Sequence, residues 1–484
     1  MRLRVMLFVF AACLPFWAAT ISVPANGDLQ AALNSALPGD EIVLQAGATY
    51  RGSFRLPLKP GASFITIRTS AVSMLPPNVR VTKEQARYMA KLEAGRSGYA
   101  VRTDAGAHHY RFIGIEFAPS PGVYSLGLVL VGEGSETSLT QLPRSIVLDR
   151  VFVHGDPVVG GKRGIAMNGF DISVENSHVT WFMSDWQDAQ AICGWNGPGP
   201  YRVINNFLSA TGENIMFSGP GTIPGVIGSN ILVQRNHLYK PLYWNPADPS
   251  YKGKAWIVKN LFELKAGQHV TFDSNVLENN WPQSQNGVAI LFNGVQGLPI
   301  SNVQVTNNII RNARHGLIAG AMNAPIWSLS IRNNLFEKVS GNVFTFVNRI
   351  DNITIEHNTS LDNGTILYVG EQDAQPAENF IFKNNIVNRG RGFLGNSMSE
   401  GLGALTRYYP GYIFQGNVLI GAPPTLYPAG NYFPISLLEV GFTNLAAGVE
   451  SLLPTSLFKY RATDGTDPGV NLVQLLALTG AVAP

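Results

Sequence analysis

A chain of 484 residues with 14% charged side chains and a formal net charge of +3 lacks the basic balance of a nucleic-acid binder, and bulk attraction to acidic polymers is not evident either. Arg2 and Arg4 lie in a leader-like stretch, so the remainder is near neutral. Glycine is abundant (50), Asn, Val and Ile recur, and charge falls below the roughly 25% typical of soluble proteins, a strand- and turn-rich profile.

The opening "MRLRVMLFVFAACLPFWAAT" has two arginines, a short apolar run, then small residues. It predicts a signal peptide over 1–20, cleaved near Ala19 or Thr20, and a secreted or periplasmic protein. The run, about a dozen residues, is too short to favour a membrane span. "FAAC" offers a second route, lipidation at Cys13. After ordinary processing only Cys193 remains, so no disulfide forms within the chain. "DLQAALNSALPGDEIVL" then predicts a short amphipathic helix, with Leu29, Ala32, Leu33 and Leu37 on one face, before a strand at 41–44. Such a helix would close an open strand edge. Residues 78–94 read as a helical insertion with Thr82 as N-cap.

From there the chain repeats. "VINNFL", "VQRNHL", "FDSNVL", "VTNNII", "IRNNLF", "IEHNTS", "FKNNIV" and "FQGNVL" place Asn206, Asn236, Asn275, Asn308, Asn334, Asn358, Asn385 and Asn417 in one slot. "VENSHV" puts Ser177 there, and "VLDRVF" puts Arg150. Asn tolerates the left-handed backbone that a sharp strand-to-strand bend needs. Its amide can also pair with the Asn of the next rung, forming a ladder. The pattern predicts an all-β, right-handed parallel β-helix of about eleven coils over 21–440, with rungs ~4.8 Å apart around one apolar column. A β-sandwich would instead show turns every ~8–12 residues without a ladder in fixed phase. "ATDGTDPGVNLVQLLALTG" reads as a loop and short helix covering the far edge, within a C-terminal cap at 441–484.

These residues resemble the bacterial secreted β-helix repeat proteins of the pectate-lyase-like superfamily. The Asn ladder, the helix-then-strand opening and "DGTDPG" carry the resemblance, with "GAHHYRFIGIEF", "DAQAICGWNGPGPY", "GENIMFSG" and "NLFELK" beside them. It implies the fold and a polysaccharide or oligosaccharide partner, not a reaction. Nucleic acid is not expected as a partner, and the chain is expected as a monomer.

Each rung should have three strands. In "VQVTNNIIRNARHGLIAG", 303–305 reads as the second strand, Asn308 as the bend, 309–310 as the third, and 317–319 as the first strand of the next rung. "GIAMNG", "AICGWNG", "NIMFSG", "LFELKAG", "VAILFNG" and "FTFVN" then stack as first strands. The resemblance implies a groove over that stack, walled by the loops before it. Those loops carry Asp185, Trp186 and Asp188, then His237, Lys240 and Trp244, then Trp281. Trp186, Trp195, Trp244 and Trp281 are candidates to stack on sugar rings, or to pack loops onto the rod. Glu213 starts a first strand and is placed to orient a sugar by hydrogen bonds. Arg314 and His315 are candidate carboxylate binders, or solvated loop charges.

In "LFELK", Glu263 and Lys265 share one face while Phe262 and Leu264 take the other. Alignment on Gly169, Gly197, Gly219, Gly267 and Gly294 sets Met167, Trp195, Phe217 and Phe292 against Lys265, which implies an apolar groove broken by the pair, or loops covering it. Burial disfavours a charged amine, and a neutral lysine can act as a base. "ELKAGQHVTFDSN" is loosely similar to the lysine-bearing first strand of the chondroitinase-B and alginate-lyase-like group, which implies β-elimination from a uronate-containing polysaccharide, with Lys265 as base, Glu263 as its partner and Ca²⁺ as a conceivable cofactor. That group's upstream acidic ligands are not reproduced, and Phe292 or Asn293 stands where it places an arginine, so no metal ligand is named. The alternatives are a glycoside hydrolase or isomerase using Asp185, Asp188 or Glu213, a non-catalytic carbohydrate-binding or structural rod, and a structural Glu263–Lys265 ion pair.

Overall fold

The computed structural model describes residues 18–95, 98–219, 221–370, 375–396, 399–444 and 449–483. Cys13 and most of the leader lie outside them. Three parallel sheets of 12, 14 and 13 strands run the length of the rod, and successive strands of one sheet come from successive turns of the chain. This is a parallel β-helix, coiled in the right-handed sense that twisted parallel strands favour. It has more rungs than the eleven read from the sequence, because the coils before residue 170 lack the asparagine that marks the rest.

The first sheet holds Arg163–Met167, Gln190–Gly194, Glu213–Phe217, Phe262–Leu264, Val288–Asn293 and His315–Gly320 among its strands. Ile165, Ile192, Ile215, Phe262, Ile290 and Leu317 form one inward row by strand pairing, and each is fully buried in the single long core. Neighbouring rows add aromatic contacts, such as Phe262 on Phe272 with ring centroids 4.6 Å apart.

The asparagine slot is a continuous hydrogen-bonded ladder. Asn308 shows the pattern: its N–H and Nδ2 both donate to Asn334 Oδ1 at 2.9 Å. Its own Oδ1 accepts from Asn275 N at 2.8 Å and Nδ2 at 3.0 Å, and its Nδ2 also reaches Phe272 O. The file runs from Asn206 to Asn417 and gains one member, Asn431, after the last repeat. The left-handed residue is not the ladder asparagine but the one before it: Asn205, Arg235, Ser274, Asn307, Asn333, His357 and Asn384 all have φ of 53–58°. Arg150, read as a degenerate slot, occupies this left-handed position with φ 50°; its slot neighbour is Val151, whose N–H donates to Ser177 Oγ.

The helix Leu29–Ser35 buries Leu29, Ala32 and Leu33 against the first coils, with Asp28 as N-cap, and the strand Glu41–Leu44 follows as expected. Leu37 falls beyond the helix and is exposed. The insertion is less helical than its sequence implies. It holds two 3-10 turns, Val72–Met74 and Lys83–Tyr88, with Thr82 N–H donating to Gln85 Oε1. Residues 90–94 are instead a strand. There the alternation decides: Ala90, Leu92 and Ala94 enter the core, while Lys91 pairs outward with Glu116 and Glu93 with Arg51.

The C-terminal segment does not cover the far edge. The helix Leu402–Tyr408 and the stretch after it do, through Leu405, Tyr408, Tyr409, Phe414 and Tyr427. The tail runs back along the third sheet. Val470 N–H donates to Thr359 Oγ1 and Asn471 N–H to Asn333 Oδ1. The helix Leu472–Thr479 then lays Leu472 and Leu475 over Val276, Ile309 and Leu335. Beyond it, Val482 O accepts from Arg80 of the insertion, which also donates to Asn205 O and Arg235 O. No helix among the described residues is long and apolar enough to cross a membrane.

Replacing Asn308 with Ala strands its ladder neighbours' buried polar groups and is expected to destabilise the rod by about 2–4 kcal/mol. Denaturant unfolding measures it; a loss indistinguishable from that of an exposed Asn→Ala control would contradict a ladder role.

Candidate functional site

Outside the first sheet, several charged side chains converge on its middle rungs. Arg163, Gln190 and Glu213 are cross-strand neighbours at the strand starts. Ala166, Cys193, Met216, Glu263 and Leu291 form a second row, on the outward face. The strand register also resolves the alignment of the Lys265 strand. Phe217 and Phe292 pair with Leu264, not Lys265, so they belong to the core. The glycine alignment slips by one residue because "LFELKAG" is one longer before its glycine, and the outward apolar row is instead Ala166, Cys193, Met216 and Leu291, interrupted by Glu263.

Glu263 is buried and faces Lys265 across 3.7 Å, with side-chain exposures of 4% and 28%. Its other oxygen accepts from Asn260 Nδ2, which also donates to Gln285 Oε1. Next to this pair, Lys259 donates to Asp188 Oδ2 at 2.7 Å and lies 3.8 Å from Glu213 Oε1. Gln190 Nε2 donates to the other oxygen of Glu213. Burial pushes Glu213 up to about 7, aided by the charges of Glu263 and Asp188 and opposed by Lys259 and Gln190. Burial pushes Lys259 down, but Asp188, Glu213 and Glu263 outweigh it and hold the ammonium above the ordinary lysine range. The exposures sort the groups by task. Glu213 (1%) and Glu263 (4%) lie beneath, while Asp188 (38%), Lys259 (20%) and Lys265 reach solvent.

Lys259 and Gln190 were not singled out in the sequence. Lys259 sits on the long loop after His237–Tyr239, where no repeat operates; its only sequence signal is its place six residues before Lys265. The fold delivers it by packing. Trp244, Trp256, Val258, Met183 and Trp281 form one buried apolar cluster, and Lys259 N–H donates to Thr211 O. Trp244 and Trp281 therefore lie within the loop anchor, not on the open surface. Trp186 is 64% exposed and rests near Tyr124. Asp185 is half-exposed and pairs with Lys254.

Lys240 is fully buried at the corner before Glu213. Its Nζ donates to Ala210 O, Thr211 O and Gly212 O at 2.6–3.0 Å, and to Asn214 Oδ1. Burial pulls it down to about 7, against Glu213. Three carbonyl oxygens take the three donors of an ammonium, with Asn214 Oδ1 as a longer fourth contact at 3.2 Å, so the geometry favours the charged form. It ties down the turn from which Glu213 emerges. His237 lies on the third sheet instead, bonded to Glu278, which Arg311 also meets; burial pushes His237 down. Arg314 is exposed and meets Ser340. His315 Nδ1 accepts from Asn342 N, and burial, then Arg314, push it down.

The donor set does not fit a calcium ion. The three carboxylates are matched by Lys259 and Lys265, and among the described residues no three His, Cys, Asp or Glu converge to hold a metal.

No family model matches the chain, and no curated protein matches it in sequence. Solved structures do. AlyGC, a PL6 family alginate lyase, superposes with a TM-score of 0.52 at 12% identity, covering 96% of this chain. The chain spans 58% of AlyGC's length. The Dettilon tailspike protein gives 0.44 at 12% identity over 82% of this chain and 62% of its own. A GH87 α-1,3-glucanase from Streptomyces thermodiastaticus gives 0.48 at 13% identity, over 88% and 71%. The likeness to AlyGC is one of fold, the parallel β-helix.

Glu213 is protonated in the folded chain up to about pH 7, whereas an unfolded glutamate ionises near 4.3. Between these values the folded state holds the extra proton, so stability falls as pH rises from about 4.5 through 7, by about 3 kcal/mol. Glu213→Gln is expected to flatten that slope in denaturant unfolding at pH 4.5, 6 and 8; parallel slopes for both proteins would contradict it.

Proposed function

We infer that this is an extracytoplasmic, carbohydrate-active β-helix protein that cleaves an acidic, uronate-containing polysaccharide by β-elimination on the outer face of the first sheet. One observation carries the reading: two lysines reach the surface there, seated on carboxylates that are themselves buried. Hydrolysis by paired carboxylates needs both at the scissile bond; of the carboxylates beside these lysines only Asp188 is substantially exposed, and the exposed Asp185 is tied to Lys254. Lysines supply what elimination requires. Lys259, held protonated, neutralises the uronate carboxylate and so acidifies the neighbouring C–H. Lys265, once it has given its own proton to solvent and stands as the neutral amine, takes that C–H proton, the C–H electron pair forms the C=C bond, and the C–O bond to the leaving sugar breaks. The proton returns from Lys265 to the leaving oxygen. The leader pattern supports export, and AlyGC, of the same fold, is named as an alginate lyase.

A panel of uronate and neutral polysaccharides, with and without a chelator, tests this by ultraviolet absorbance of the unsaturated product. Cleavage of a uronate polymer with new absorbance is expected, with Lys265→Met lowering the rate by roughly 10²–10⁴-fold and the chelator without effect. New reducing ends without absorbance would establish hydrolysis instead. Binding without cleavage, unaffected by Lys265→Met, would make the protein a binding rod.

A further inference from the structure

Three rungs before Lys265 the same face carries a second cationic feature that the chemistry above does not use. The guanidinium of Arg163 lies 4.6 Å over the ring of Trp195, and its Nε donates to Gln190 Oε1. Trp195 is itself wedged in place. Its Nε1 donates to Gly134 O, and a side chain at Gly134 would collide with the indole at 2.3 Å. With Gly134 packed against the ring and Arg163 over it, the indole serves as a seat for the cation rather than as an open platform for a sugar. Arg163 is partly exposed and pairs with no carboxylate among the described residues, and neither does Lys162 beside it. The guanidinium also meets the buried Cys193 thiol, and a guanidinium fixed by stacking and neutral partners, with no carboxylate on its fork, is a preorganised receptor for one.

We propose that Arg163, held by Trp195 and Gln190, is a subsite for the carboxylate of an acidic sugar that is not the one being cleaved. Arg163 opens the strand Arg163–Met167 and Lys265 follows Phe262–Leu264, three steps along the sheet, so the subsite's strand lies ~14 Å along the rod from that of the base. A polysaccharide chain lying parallel to the rod axis meets both. Arg163 then selects chains charged at successive sugars over chains charged only at the cleaved one. This deepens the lyase reading and rests on it.

The test uses the full-length Lys265→Met protein, whose turnover is expected to be slowed roughly 10²–10⁴-fold, titrated calorimetrically with tetragalacturonate, tetramannuronate and, as neutral control, cellotetraose. Arg163→Gln in this background is expected to weaken binding of the preferred acidic tetrasaccharide by about ten-fold or more, with Arg163→Lys intermediate and thermal unfolding unchanged. In the active protein, Arg163→Gln is expected to raise KM with kcat retained. If Arg163→Gln and Arg163→Lys, both folded, bind the acidic tetrasaccharide as tightly as their parent, the subsite is wrong while the lyase reading stands. If the parent binds neither acidic tetrasaccharide, both fall together.

Discussion

The carboxamide file is the constraint from which the rest of the molecule follows. Each ladder asparagine fixes its rung against both neighbours, because its oxygen takes two N–H groups from one side while its own N–H groups reach the other. A one-residue slip in a strand turns every side chain to the opposite face. By pinning one corner of each coil, the ladder forbids that slip in sheets of more than ten strands. The short strands between corners then need little propensity of their own, and the loops are free to vary.

The site depends on that fixed register. Glu263 faces outward only because Phe262 and Leu264 are held inward. Glu213 stands beside Gln190 only because their strands pair in phase. The carboxylates lie at the bottom and the amines at the rim, so the lysines are oriented by charges that solvent cannot screen well. Burying the carboxylates is costly unless they are paired or protonated. Glu263 is paired by Lys265 and Asn260, and Glu213 adopts the second solution by keeping its proton.

What could be read in the sequence was what repeats. The slot from Asn206 to Asn417, the strand at 41–44, the first-strand stack and the shared face of Glu263 and Lys265 all rest on periodicity, which one chain displays without comparison. Non-repeating features were less legible. The left-handed residue lies one place from the slot because two adjacent residues, often both asparagine, divide the corner's work: one bends and the other bonds. The glycine alignment failed at Lys265 because a glycine after a strand marks a loop, whose length varies, rather than a pairing position. Lys259 and Arg163 gain their surroundings from distant segments. The tail gave a correct local element, a loop and short helix, but local pattern does not say against which face a helix lies.

The returning tail gives the rod a property that stacking alone does not. A plain solenoid is a one-dimensional array that can peel from either tip. Here Arg80, from an early excursion, is joined to Val482, 402 positions along the chain, while the tail between 464 and 479 crosses the rungs of Asn384, Thr359 and Asn333 and reaches those of Ile309 and Val276. The array is thereby bound lengthwise, like the spine of a book. Its middle pages, where the lysines and carboxylates lie, are secured from both directions, and that binding is complete only when residue 482 has docked.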